Sequence, residues 1–296
     1  MSEIIRFWNR ADNKEQTEEI YGESLVGFLY GTASGRTLAH FVLSGKMLSR
    51  IFGMYQSSSF SKHKITAFVK KFGIRMDEYE SGPFRSFNDF FIRRFKDGAR
   101  IFMEKNKFMP AFAEARYLGY KKVSAEQGLP VKGSFISLSA LLGSDTATAP
   151  FIGGPALVAR LCPTDYHRFH YPDTGRTFES YPIGGCLHSV NPLALHHRPD
   201  IFATNERQVS ILETENFGKV AYIEVGAMCV GKIVQTNSNQ TFARGDEKGY
   251  FLFGASTVIL LGQERSWSPS ADILKHTKEG LETFVRLGDQ VALAYV

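Results

Sequence analysis

Apolar positions follow two different periods along this chain. Between Glu18 and about Gly73 they recur at three- and four-residue intervals, with Leu48, Ile51, Phe52 and Tyr55 on one helical face. Ile65, Phe68, Val69 and Phe72 repeat the spacing, and Lys62, Lys64, Lys70 and Lys71 stand elsewhere around the wheel. Gly31, Gly35, Gly45 and Gly53 interrupt the stretch, so it reads as several short amphipathic helices. Such faces can pack on a larger domain or lie in a membrane surface, and both uses are compatible. Another short helix is predicted over Phe87 to Arg94, after Ser81-Gly82-Pro83. Beyond Met109 the pattern changes to short runs of β-branched, aliphatic and aromatic residues separated by Gly, Pro and Asn. These are Ala156 to Leu161, Val209 to Leu212, Val220 to Val225 and Phe251 to Leu261. The expected class is α+β, a mainly antiparallel β core with N-terminal amphipathic helices, divided at about residue 80.

Composition agrees with a folded core: of 296 residues 43% are hydrophobic and 22% charged, with 25 Phe and 12 Tyr. The first residues are too polar for a secretory signal, and the longest largely apolar run, Tyr250 to Leu261, is short of the ~20 residues a spanning helix needs. A net charge of +5 and a pI of about 9.0 suit an anionic partner such as a membrane surface. No RNA-recognition, zinc-finger or basic-helix pattern occurs, so nucleic acid is not an expected partner. Cys162, Cys186 and Cys229 are odd in number and far apart, which argues against a disulfide framework or a CxxC metal site and for a reducing compartment.

Three segments could carry chemistry. Gly226-Ala-Met-Cys-Val-Gly231-Lys232 imitates a phosphate-binding loop, but Ile233 stands where a magnesium-holding hydroxyl belongs and VQTNSNQ is a poor helix start. A strand ending in a Gly-rich turn is the better reading. His167 and His170 lie three apart in Asp165-Tyr-His-Arg-Phe-His170, so in a strand they face opposite ways, which suits acid–base work better than a shared metal. In Gly249-Tyr-Phe-Leu-Phe-Gly254-Ala255-Ser256-Thr257, a serine sits in an apolar strand behind two small residues. It is either a backbone-satisfied Ser at a bulge or a nucleophile. A hydrolase elbow is disfavoured because Val258 occupies the last Gly position of that motif.

FNDFFIRRFKDGAR (Phe87 to Arg100), DYHRFHYP (Asp165 to Pro172), LHSVNPLAL (Leu187 to Leu195), FGKVAYIEVGAMCVGKI (Phe217 to Ile233) and EKGYFLFGASTVILL (Glu247 to Leu261) occur in order. Together they resemble phosphatidylserine decarboxylase, a family of pyruvoyl enzymes. The resemblance implies that residues 81–296 form a catalytic domain cleaved between Ala255 and Ser256, preceded by a helical, membrane-contacting region over 1–80. It further implies that Ser256 attacks the carbonyl before it and becomes the covalent pyruvoyl group, with His170 as base and an acidic residue orienting it. The pyruvoyl carbonyl would condense with the amine of phosphatidylserine and act as electron sink for loss of carbon dioxide, while His167 reprotonates the α-carbon to give phosphatidylethanolamine. No metal is implied. Expected partners are phosphatidylserine, an anionic membrane surface at the cytoplasmic side, and the α and β fragments held as a heterodimer, with further dimerisation left open. Two positions depart from the family pattern. Ala255 replaces the usual Gly before the serine, and the family's Pro-Ala-Asp-Gly meets Pro110-Ala111-Phe112-Ala113-Glu114-Ala115-Arg116. One register puts Phe112 at the Asp position; another, two residues longer, puts Glu114 there. Two other classes stay open: a Ser–His hydrolase without cleavage, and an inactive binder of anionic lipid.

Overall fold

In the computed structural model the described residues are 5–19, 32, 35, 46–124, 128–131, 134–190, 194–195, 200–227, 232–254 and 256–295. The β-branched and aliphatic runs become strands that pair with neighbours far away in sequence. In chain order these are β1 Arg6–Asn9, β2 Lys14–Thr17, β3 Ala115–Tyr120, β4 Ala156–Leu161, β5 Arg168–His170, β6 Gly175–Ile183 and β7 Arg207–Thr214. There follow β8 Gly218–Val225, β9 Ile233–Gln235, β10 Thr241–Phe242, β11 Glu247–Phe251, β12 Ser256–Gly262 and β13 Glu282–Val285. Ten of them form one sheet in the order β10-β6-β7-β8-β12-β4-β3-β13-β1-β2. All its pairings are antiparallel except β1 with β13. The chain is therefore α+β with a mainly antiparallel sheet, as its patterning predicts.

β12 lies inside this sheet. Ser256 is opposite Leu161 of β4 and Thr257 is opposite Val225 of β8, and all seven residues of β12 are buried. Side chains alternate across a strand, so Ser256, Val258, Tyr222, Glu224 and Tyr117 share one face, while Thr257, Arg160 and Arg116 share the other. A three-stranded sheet, β9-β11-β5, covers the first face, with Phe169 and Phe112 packed on Tyr222. The run expected as one strand from Phe251 to Leu261 is thus split: the chain leaves β11 at Phe251 and re-enters at Ser256 in the other sheet. Gly119 of β3 shows how closely the last helix, Ala271–Lys278, docks, since a Cβ there would lie 2.8 Å from Pro269 and 2.9 Å from Ile273.

In the N-terminal region the expected helices appear as α1 Lys46–Ser57, α2 Lys64–Phe72 and α3 Phe87–Phe91. Phe68 of α2 and Phe87, Phe90 and Phe91 of α3 form one buried cluster with Phe253, against which Phe52, Ile65, Val69 and Phe72 pack. Ile51, Met54, Tyr55 and Phe60 remain exposed. Residues 6–17, inside the stretch expected to be helical, instead form the β1–β2 hairpin, because Ile5 and Phe7 bury one face of it against the sheet while Lys14 and Glu15 stay in solvent. Of the stretch from Glu18 to about Gly73 expected to form short helices, residues 20–31, 33–34 and 36–45 lie outside the described residues.

The second face of the sheet carries a buried charge network. Arg160 donates to Glu282 at 2.9 and 2.5 Å and to Glu18 at 2.7 Å, and Arg116 pairs with Asp165 at 2.7 Å and with Glu18 at 3.0 Å. Burial works against the charged form of Glu18, but Arg160 and Arg116 beside it hold its carboxyl down at about 2. A buried pair adds little net stability, yet removing one partner strands the other in a dry interior at a cost of about 3–5 kcal/mol. Arg160→Met takes the guanidinium away from two buried carboxylates, Glu282 and Glu18, the latter keeping Arg116. It should lower the melting temperature by several degrees relative to Arg176→Met, whose exposed pair with Glu213 contributes little, as differential scanning fluorimetry would show.

Candidate active site

Ser256 opens β12 with its side chain fully buried, and among the described residues its hydroxyl has no hydrogen-bond partner. A satisfied serine at a bulge is therefore not what the fold contains. An unmet buried hydroxyl costs about 1–3 kcal/mol, so its retention marks a position at which packing yields to chemistry. The approach to Ser256 is constrained. Gly254 has φ of 147°, a backbone conformation that side chains strongly disfavour. Phe253 donates its N–H to Asn88 Oδ1 at 2.7 Å, while Asn88 Nδ2 donates to Ser57 at 2.8 Å, so α1 and α3 together hold the segment before the serine. Ala255 lies outside the described residues.

His170 ends β5, whereas His167 stands just before its first residue, and each ring has its own set of neighbours. His167 stacks on Phe91 at 3.9 Å between ring centroids, and Phe91 also meets Phe253, which places this histidine beside the segment leading to Ser256. Its Nε2 donates to the Cys162 carbonyl at 2.8 Å, one residue beyond the Leu161 that faces Ser256, and Nδ1 is buried without a partner among the described residues. The Nδ1 of His170 donates to the Gly245 carbonyl at 2.9 Å, and its Nε2 accepts from the Tyr166 hydroxyl at 3.3 Å. Burial holds the imidazolium pKa of His167 at about 3 and of His170 at about 4, so both rings are neutral at physiological pH and each keeps one basic nitrogen.

Glu114 stands immediately before β3, two residues from Phe112, whose carbonyl accepts the His170 backbone N–H at 2.8 Å. Its carboxylate does not engage the imidazole. It receives Arg100 Nε at 2.5 Å and Nη2 at 2.8 Å and the Leu287 N–H at 3.1 Å, and Arg100 in turn reaches Glu78. The fold thus brings the Glu114 segment and His170 together through backbone, and His167 and Ser256 together through Cys162, Phe91 and Phe253. Among the described residues no hydrogen bond joins Ser256 to either histidine.

Four supporting groups escape sequence reasoning. Tyr166 and the Gly245 carbonyl set the His170 tautomer, the Cys162 carbonyl sets that of His167, and Arg93 donates to the Thr164 and Asp165 carbonyls at 3.0 and 3.3 Å. Backbone carbonyls leave no mark on sequence. The Asp165 and Arg168 charges flanking the histidines were the visible signal.

With this geometry in place, comparison with known proteins is informative. The profile of the family described as phosphatidylserine decarboxylase matches residues 87–292. The chain is 40% identical over 291 residues to the phosphatidylserine decarboxylase proenzyme of Clostridium tetani, covering 97% of this chain and 98% of that protein. It is 38% identical over 291 residues to the proenzyme of Clostridium botulinum strain 657, covering 97% and 99%, and 36% identical over 295 residues to that of Clostridium kluyveri, covering 99% and 100%.

The buried neutral histidines predict an acid-sensitive fold. Below their ordinary value of about 6.5 an unfolded chain takes up protons on both rings, whereas the folded chain refuses them down to about 4 for His170 and about 3 for His167. Stability therefore falls as pH is lowered through that window, by about 1.4 kcal/mol per pH unit for each ring. Urea midpoints compared between about pH 7 and about pH 5 should drop less in His170→Asn than in the parent chain.

Proposed function

This chain belongs to the phosphatidylserine decarboxylase family, and on that premise we propose that it cuts itself between Ala255 and Ser256 and then converts phosphatidylserine to phosphatidylethanolamine and carbon dioxide. It is a carboxy-lyase made as a proenzyme. The observation that carries the residue assignment is the buried Ser256 hydroxyl, unpartnered among the described residues, at the head of a central strand and two residues after Gly254, whose φ of 147° disfavours any side chain.

In the maturation step, Ser256 Oγ adds to the carbonyl carbon of residue 255, and the C–N bond breaks so that the amide becomes an ester. His170 is the base proposed to take the hydroxyl proton, at the Nε2 lone pair that its Nδ1–H bond to Gly245 fixes there, once that lone pair gives up the Tyr166 hydroxyl it accepts from. Glu114 is the carboxylate proposed to stabilise the resulting imidazolium, which requires it to exchange Arg100 for the imidazole. Loss of the Ser256 α-proton expels the carboxylate of residue 255, and water converts the remaining dehydroalanine to a pyruvoyl group and ammonia. The residues fit this group: the Ser256 side chain is fully buried and, among the described residues, has no bond to give up. Once formed, the pyruvoyl carbonyl supplies an electron sink for the pair left by carbon dioxide. His167, neutral and with a buried Nδ1 that has no partner among the described residues, is the residue proposed to hold and return the proton at the substrate α-carbon.

The position of β12 supports a lasting heterodimer of the two fragments, since residues 256–262 stay hydrogen-bonded to β4 and β8 after the cut. A peripheral membrane location at the cytoplasmic side is supported by exposed Met54 and Phe60, the latter 80% accessible, near Lys62, Lys64, Lys70 and Lys71. No described helix is long and apolar enough to cross a membrane.

Intact-mass analysis should find two chains, residues 1–255 and a smaller one from 256 to 296 with a blocked N-terminus. Ser256→Ala should remain a single, inactive chain. Glu114→Gln and His170→Ala should accumulate uncut chain, and His167→Ala should be cut yet decarboxylate poorly; normal cutting of Glu114→Gln would remove Glu114 from the maturation step.

Sedimentation with vesicles should show binding to anionic but not neutral lipid, weakened by salt and by Phe60→Ser. Equal binding to both vesicle types would exclude charge as the determinant.

A further inference from the structure

The turn that follows β4 is held more firmly than a connecting loop requires. Asp165 Oδ2 accepts the Cys162 N–H at 2.7 Å, and the Asp165 N–H donates back to the Cys162 carbonyl at 2.9 Å, which closes the turn from both ends. Arg116 Nη1 holds the same Asp165 oxygen at 2.7 Å, and Arg116 is itself fixed by Glu18 from the N-terminal segment. Arg93 Nη2 clasps the turn from the other side through the Thr164 and Asp165 carbonyls. Arg93 and Arg116 are buried and Asp165 is half-buried with its side chain only 8% exposed, so water competes little for these bonds.

What this clamp presents is the Cys162 carbonyl, which takes the proton-bearing Nε2 of His167 at 2.8 Å. A neutral imidazole carries one N–H, so the bond decides which nitrogen remains basic. With Nε2–H committed, the lone pair is on Nδ1, the atom that is buried and unpartnered among the described residues. If the carbonyl swung away, the ring would lose the one hydrogen bond among the described residues that distinguishes its two nitrogens, because the Phe91 face it stacks on is indifferent to them.

We infer that Asp165 is a positioning residue for decarboxylation: through Arg116 and the Cys162 N–H it fixes the Cys162 carbonyl, and thereby holds His167 as the Nε2–H tautomer with Nδ1 turned toward the reacting carbon. The inference rests on the decarboxylase reading for its kinetic consequence, while its structural content, the tautomer, can be read without any turnover. Asp165 bonds the turn and Arg116 and makes no hydrogen bond to Ser256, so the proposal gives it no part in the self-cleavage.

Two measurements test it. In the mature wild-type enzyme, the ¹⁵N resonances of His167, assigned by comparison with His167→Asn, should show a protonated Nε2 and an unprotonated Nδ1; the reverse pattern overturns the proposal whether or not any variant folds. Asp165→Ala, which removes the acceptor, should still be cut into two chains but lose about 10- to 100-fold in kcat with little change in KM for phosphatidylserine, and should show mixed tautomers. Asp165→Asn keeps an oxygen for the Cys162 N–H and should recover most of the rate and the single tautomer. A folded, cut Asp165→Ala enzyme with wild-type kcat and an intact Nε2–H signal would overturn the assignment. A wild-type protein that showed the tautomer but released no carbon dioxide would instead defeat the decarboxylase reading.

Discussion

The strand that begins at Ser256 is hydrogen-bonded on both sides within a ten-stranded sheet, and most of what is distinctive about the molecule follows from that placement. A strand with two partners and two covered faces excludes water, so a hydroxyl at its head has nothing to bond except what the fold supplies. Here the fold supplies nothing among the described residues, which leaves the oxygen available for an intramolecular attack. The same placement decides what happens after a cut at residue 255. The C-terminal fragment contributes β12 and β13 to the sheet and the stretch Gln290–Ala294 to a third, smaller sheet, so separation of the fragments would mean unfolding both.

The two faces of that sheet divide the labour. One face carries Ser256 and is covered by the three-stranded sheet that includes His170, a largely aromatic environment whose ions are paired, Lys248 with Glu224 at 2.6 Å and Arg168 with Glu247 at 2.7 Å. Low polarity there keeps both imidazoles neutral. The opposite face concentrates Arg160, Arg116, Glu282 and Glu18, charges that match one another. Asp165 connects the two regions, since it belongs to the ionic network and also shapes the turn on which His167 rests.

The N-terminal helices serve this arrangement in two ways. Their buried aromatic residues meet Phe253, and through Asn88 and Ser57 they help fix the segment that leads into Ser256. Their remaining apolar residues point into solvent beside a row of lysines. A surface that docks on lipid would therefore be joined to the catalytic segment by direct packing.

Periodicity alone determined the α+β class, the strand over Ala156–Leu161 with its bounds, and the helices around residues 46–72, because each of these depends on neighbours a few residues away. The motif around Ser256 likewise singled out that serine. Sequence could not show that the apolar run from Phe251 to Leu261 divides between two sheets, since both halves have the same composition and only their partners differ. Nor could it show that residues 6–17 form a hairpin, whose pairing with β13 spans more than 270 positions. It left Glu114 aligned with a carboxylate that orients a histidine, whereas the folded chain gives that carboxylate to Arg100 and gives His170 to a tyrosine hydroxyl and a backbone carbonyl. Hydrogen-bond partners of buried polar groups are chosen by the packing of distant segments, and many of the chosen acceptors are carbonyls that every residue carries, so only the tertiary structure decides them.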